Sequence, residues 1–130
     1  MKNFDEWNEV KKEIDEKRKS LFFSEREIVF VNMGKNIGFE EDGKGKEFLR
    51  PVLILKKFNA HQFIGFAMTS QTPNKKNEKF YYKLSDKSFV ILSQIRTYSP
   101  KRISHSIGKI SESKLAEIYE KFNKLVTPSK

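Results

Sequence analysis

The run Arg50-Pro51-Val52-Leu53-Ile54-Leu55-Lys56-Lys57 and, after a four-residue break, Gln62-Phe63-Ile64-Gly65-Phe66-Ala67-Met68-Thr69 decide the fold class of this chain. Both are short, rich in β-branched and aromatic residues, and bounded by polar positions, which is how strands read. The same pattern extends to either side. Ile28–Met33, Phe80–Leu84, Ser88–Leu92 and Ile95–Tyr98 form further short apolar runs, divided by Gly, Asn, Asp and Lys clusters, and Ile103–Ile107 reads as a weaker seventh strand. So many short strands in so little chain predict a small, strongly bent antiparallel sheet or barrel. Gly34–Gly45 reads as a long connection and Asn74–Lys79 as a shorter exposed loop.

Helical spacing occurs only at the two ends. Phe4, Trp7, Val10, Ile14 and Leu21 recur at steps close to three, four and seven among charged residues, with Asn3 as N-cap and Lys17-Arg18-Lys19 suited to a last turn, which predicts a helix over about 4–19. Ser111 precedes a second apolar stripe of Leu115, Ile118, Tyr119, Phe122, Leu125 and Val126, stopped by Pro128. Residues 1–22 are expected to be a helical extension and residues 23–130 one domain.

The chain has 130 residues, 26 Lys plus Arg against 17 Asp plus Glu, and a net charge of +9, which suits a single domain with one core. Twelve Phe argue against disorder, and the lack of Cys excludes disulfides, thiol catalysis and Cys-based zinc sites. No apolar run approaches the roughly 18 residues needed to span a bilayer, and the N-terminus opens polar and acidic, unlike a signal peptide. A cytoplasmic protein without membrane contact is expected. The charge is uneven: residues 1–50 carry a net −1 and residues 51–130 a net +10. That field favours anionic partners, although a solvated Lys-rich surface would read the same way.

Motifs for metal hydrolysis or nucleotide binding are missing from the sequence, and His61 and His105 read as ordinary surface or half-buried residues, so no metal or cofactor is expected. What remains is a set of polar residues at strand ends: Arg50 ahead of Pro51-Val52-Leu53-Ile54, Thr69 and Ser70 after Met68, and Gln94 and Arg96 within Gln94-Ile95-Arg96-Thr97.

These residues, together with Glu27-Ile28-Val29-Phe30-Val31-Asn32, Gly38-Phe39-Glu40-Glu41-Asp42-Gly43, Lys101-Arg102 and Ile107-Gly108-Lys109-Ile110, resemble the MazF/PemK family of type II toxins over about Glu27 to Val126. The resemblance implies an SH3-like β-barrel with a C-terminal helix, to which the N-terminal helix is added, acting as a homodimer. It implies a metal-independent, sequence-specific endoribonuclease cutting single-stranded RNA by attack of a ribose 2′-OH on the adjacent phosphate. It also implies a cognate antitoxin whose acidic segment fills the RNA groove, with DNA reached only through that complex. Carried over by position, Arg50 and Thr69 are the catalytic pair and Glu40 supports them, while Lys44, Lys46, Ser70, Gln94, Arg96, Lys101 and Arg102 are expected to contact RNA. Two positions depart from the family. Ser93 stands where the PemK branch has an Asp credited with catalysis, and the loop between Glu40 and Arg50 is long and carries Lys44, Lys46, Phe48 and Leu49.

The chemistry agrees with these roles. A guanidinium matches phosphate oxygens with a planar fork of donors, but neutralising one at pH 7 costs about 7 kcal/mol, so Arg50 suits charge stabilisation or proton donation and not proton abstraction. Thr69 suits a hydrogen bond to the phosphate, and Glu40 is the candidate base. The competing reading is a non-catalytic SH3-like module that binds RNA or protein. A gyrase poison of the CcdB type shares the fold but relies on a Trp-Gly-Ile tail, and this chain ends Val126-Thr127-Pro128-Ser129-Lys130.

Overall fold

The computed structural model describes residues 23–33 and 49–128. They form six strands, β1 (Glu27–Asn32), β2 (Leu49–Asn59), β3 (Gln62–Thr69), β4 (Tyr81–Ser85), β5 (Ser88–Tyr98) and β6 (Ile103–Lys109), followed by helix α1 (Glu112–Val126). The strands pair antiparallel in the order β4-β5-β3-β2-β1-β6. The sheet is open, so the expected barrel is realised, among the described residues, as a single sheet with β4 and β6 at its edges. The expected helix over 4–19 and the Gly34–Gly45 connection lie outside the described residues.

Strand alternation gives the sheet two apolar faces. On one, Val29, Val31, Val52, Ile54, Phe63, Ala67, Ile91, Tyr98 and Ile103 pack together with Phe23. On the other, Leu53, Phe66, Met68, Val90 and Leu92 receive α1 through Ile118, with Leu115, Phe122 and Leu125 alongside. Ser111 caps the helix, its Oγ accepting from the Lys114 N–H at 3.2 Å, an interaction that contributes about 1 kcal/mol. Tyr119 and Val126, expected on the same stripe, are instead 51% and 55% exposed, because the sheet takes up only the narrower 115/118/122/125 line.

Two runs expected as separate strands are one. Phe66 faces Ile95 but Met68 faces Val90, so an advance of two residues on β3 matches five on β5. The extra three residues form a bulge around Leu92, Ser93 and Gln94. The weak seventh run is β6, and the expected Asn74–Lys79 loop contains a 3-10 turn, Lys75–Phe80, whose first N–H groups are capped by Asn74 Oδ1 accepting from Asn77 at 3.1 Å.

The entry to β1 is pinned electrostatically. Glu27 Oε1 accepts from the Ser24 N–H at 2.6 Å and from its hydroxyl at 2.8 Å. Burial pushes the Glu27 carboxyl up, but hydrogen bonds from Ser106 and Ser24 and the nearby Lys109 charge outweigh it and hold the group below its ordinary value. A carboxylate lowered in this way contributes stability that is present above its unfolded pKa of about 4.3 and is lost as the pH falls through the folded value. Glu27→Gln is therefore expected to melt below the parent protein at pH 7, with the difference shrinking as the pH is taken down through the acid range. Melting curves of both proteins across that range check this, and a constant difference would refute it.

Candidate functional site

The expected site residues on β2 and β3 come together at one end of the sheet. Val52 faces Ala67, and the same register continued two residues outward sets Arg50 across from Thr69. On the other side Arg50 faces Val31 of β1. By alternation both side chains share the face of Val52 and Ala67, opposite the helix. Arg50 is 5% exposed and Thr69 is 7% exposed, so each belongs to the end of the core and not to its solvated rim. Thr69 Oγ1 accepts from the Gln71 N–H at 3.2 Å, which turns the chain away immediately after the strand and leaves Ser70 exposed. Behind the pair, β2 and β3 approach closely: a Cβ on Gly65 would stand 2.7 Å from both the Leu53 carbonyl oxygen and Val52 Cγ1.

The β5 bulge opens a cleft of about 190 Å³ beside this pair, lined by Met33, Ala67, Ser93, Gln94, Arg96 and Tyr98 among others. Ala67 is two residues from Thr69 on the same face, and Met33 follows directly on β1. Gln94 and Arg96 thus line a cleft that reaches Ala67, two residues from Thr69 on the same strand. Gln94 is half-buried, whereas Arg96 is exposed with its guanidinium carbon 5.5 Å from the centre of the Tyr98 ring, a cation–π geometry.

Lys101 and Arg102 share the 3-10 turn Pro100–Arg102 but differ in role. Lys101 is exposed. Arg102 Nη1 donates to the Asn32 carbonyl at 3.0 Å, and Asn32 Nδ2 donates to the Arg102 carbonyl at 3.2 Å, a reciprocal clamp that ties the turn to the end of β1. Arg102, expected to contact RNA, holds the Asn32 backbone with one nitrogen of its guanidinium. Asn32 is a residue that sequence reasoning missed: it is 3% exposed, and it faces Leu49, the neighbour of Arg50. Its only signal in the sequence is a polar residue ending an apolar run. Glu40, Lys44 and Lys46 lie outside the described residues.

The two histidines stand apart from this region of the sheet. His61 is exposed in the β2–β3 turn, its N–H donating to Asn59 Oδ1 at 2.7 Å, and exposed His105 stacks on Phe30 with ring centres 4.9 Å apart. Among the described residues no cluster of three or more His, Cys, Asp or Glu side chains is placed to hold a metal, and no helix is long and apolar enough to cross a membrane. The arrangement places a buried Arg and a buried Thr on one face at the same end of two paired strands, near a cleft with an amide and a second guanidinium. Such a set can bind two phosphodiester oxygens bidentately through a guanidinium and hydrogen-bond a neighbouring polar group.

The profile of one protein family, described as PemK-like, MazF-like toxin of type II toxin-antitoxin system, matches residues 24–126. No curated protein matches the chain. Among solved structures, a MazE-MazF complex from Deinococcus radiodurans is similar with a TM-score of 0.59 and 18% identity, over 81% of this chain and 96% of that one. An endoribonuclease in complex with its cognate antitoxin from a mycobacterial species gives a TM-score of 0.56 at 11% identity, over 82% and 97%. The Mycobacterium tuberculosis toxin MazF-mt6 gives 0.54 at 16% identity, over 76% and 94%. At these identities the structural likeness speaks for the fold.

Proposed function

This chain belongs to the PemK-like, MazF-like toxins of type II toxin-antitoxin systems, and on that premise we propose that it is a metal-independent endoribonuclease acting on single-stranded RNA. The observation that supports the reading is that Arg50 and Thr69, both nearly buried, lie on one face at the same end of β2 and β3, two residues beyond the Val52–Ala67 pair. In the proposed reaction the ribose 2′-oxygen attacks the adjacent phosphorus, the bond from phosphorus to the 5′-oxygen breaks, and a 2′,3′-cyclic phosphate and a 5′-hydroxyl result. Arg50 donates to the phosphoryl oxygens, where charge accumulates, and can pass a proton toward the leaving oxygen. Thr69 hydrogen-bonds the same phosphate. Glu40 is assigned as the acceptor of the 2′-OH proton, while Lys44, Lys46, Ser70, Gln94, Arg96 and Lys101 contact the strand.

The protein works as a homodimer under this proposal, is restrained in the cytoplasm by a cognate antitoxin with an acidic segment, and reaches DNA only through that complex. The complexes with antitoxins among the similar structures support the partner, and the +10 charge of residues 51–130 suits both an RNA strand and an acidic peptide. Residues 1–22 precede the matched span and are assigned as an extension to it.

The test is incubation of the purified protein with a long mixed-sequence single-stranded RNA in EDTA. Discrete cuts ending in cyclic phosphate are the expected result, and retention without cuts would instead favour the non-catalytic binding module. Binding should weaken with salt at a log-log slope of about −4, the value for five or six phosphate contacts on a single strand. A slope near zero would remove the groove from the account.

A further inference from the structure

The face that carries Arg50 and Thr69 continues toward the β4 edge, and its register puts two more functional side chains in line with them. Thr69 faces Phe89 on β5, and Phe89 faces Lys83 on β4. Arg50, Thr69, Phe89 and Lys83 each stand two residues from a member of the core on that face, namely Val52, Ala67, Ile91 and Tyr81. They therefore form one row across four neighbouring strands, and with strands about 4.8 Å apart the row spans about 14 Å.

At the Lys83 end the row runs into a second cleft, of about 330 Å³. Its apolar lining is Pro73, Tyr81 and Phe89, with Phe89 5% exposed as the floor and Tyr81 half-buried. Lys83 lines it too, with Nζ 3.2 Å from Asp86 Oδ1 in a pair whose side chains are 61% and 95% exposed, so the pairing is weak and the ammonium remains available to a phosphate. Glu78 adds a second carboxylate to the lining. Lys121 of α1 also lines the cleft and holds its wall in place by donating to the carbonyls of Tyr81 and Glu78.

We propose that this cleft is a nucleobase subsite for a nucleotide near the phosphate held by Arg50 and Thr69, with Tyr81 stacking on the base and Lys83 taking a phosphate further along the strand. The proposal rests on the RNA reading above and extends it to residues outside the set expected from sequence. Single-stranded RNA offers unstacked bases that aromatic side chains take up from solution, and a cation beside the ring completes such a site. The carboxylates of Glu78 and Asp86 accept hydrogen bonds and donate none, so on their side the subsite favours the bases whose exocyclic amines donate, guanine, adenine and cytosine, over uracil.

The test measures binding of a fluorescent, non-cleavable 2′-O-methyl RNA of mixed sequence at several salt concentrations, together with end-mapping of cuts in unmodified RNA. Tyr81→Leu, which keeps the apolar packing, is expected to weaken binding roughly tenfold and to relax base preference at one position flanking the cut. Lys83→Met is expected to make the salt slope shallower by about 0.7, the share of one phosphate. Wild-type affinity, slope and flanking preference in both variants, with unchanged circular dichroism, would overturn the subsite while leaving the nuclease reading intact. Weakened binding in the variants of a protein that cuts no RNA would support the subsite and remove the nuclease. A wild-type protein that binds no RNA would overturn both.

Discussion

Arg50→Ala is expected to lower RNA cleavage by roughly a hundredfold or more while the protein stays folded. Arg50 lies at the end of β2, almost fully buried and on the same face as Thr69, so burial restricts its side chain before substrate arrives and little reorganisation is needed as charge builds on the phosphate. Low exposure also strengthens the interaction, because few water molecules compete for the same oxygens. Arg50→Lys sharpens the test. It keeps the charge but replaces the planar fork by a point cation, and a large loss there as well identifies bidentate geometry as the working feature. The measurement is initial cleavage rate on a defined RNA, with circular dichroism and melting temperature as controls. Near-normal cleavage by Arg50→Ala in a folded protein would sink the assignment.

Phe66→Ala should produce the largest loss of stability, about 3–5 kcal/mol. Phe66 has no exposed surface, sits between Leu53 and Ile95 on the neighbouring strands, and meets Phe122 of α1 edge to face with ring centres 5.2 Å apart. Truncation removes that contact and leaves a cavity where the helix rests on the sheet. For a domain whose total stability is about 5–15 kcal/mol, such a loss lowers the melting temperature by on the order of 10 °C or more. The side chain points away from the Arg50 and Thr69 face, so activity per folded molecule at low temperature should survive. The two substitutions thus dissociate: one removes function without melting the protein, and the other melts it without touching the site. A stability loss under 1 kcal/mol in Phe66→Ala would mean that α1 does not depend on this contact.

The strand content and the C-terminal helix were legible because their signals are local. Gln62–Thr69 reads from its own residues with correct ends, and Ser111 marks the start of α1. Arg50 and Thr69 stood out for the same reason, as polar residues closing apolar runs. What could not be read depends on pairing. In β5 the residues facing the helix are even-numbered before the bulge, Val90 and Leu92, and odd-numbered after it, Ile95, because an odd number of extra residues reverses the alternation. A reader following period two sees the pattern break there and divides one strand into two. The clamp between Asn32 and Arg102 joins residues seventy positions apart, so Arg102 reads as a surface cation until its partner is in view. Lys83 likewise reads as an ordinary solvent-facing lysine within Tyr81-Tyr82-Lys83-Leu84, and only the successive pairings of β3, β5 and β4 bring it into line with Thr69.

The register that sets Arg50 opposite Thr69 also has a consequence for how the molecule breathes. Both residues belong to central strands, flanked by β1 on one side and β5 on the other, and they stand two residues beyond the Val52–Ala67 pair that ends the β2–β3 ladder on that side. Segments of this kind open only with the whole domain, whereas edge elements and turns exchange their amide hydrogens through small local openings. Loosening of β4, β6 or the turns around them leaves the spacing of the pair untouched. The strands that carry the pair are therefore lost in the same cooperative event that unfolds the sheet, and a local opening at β4 or β6 leaves β2 and β3 paired.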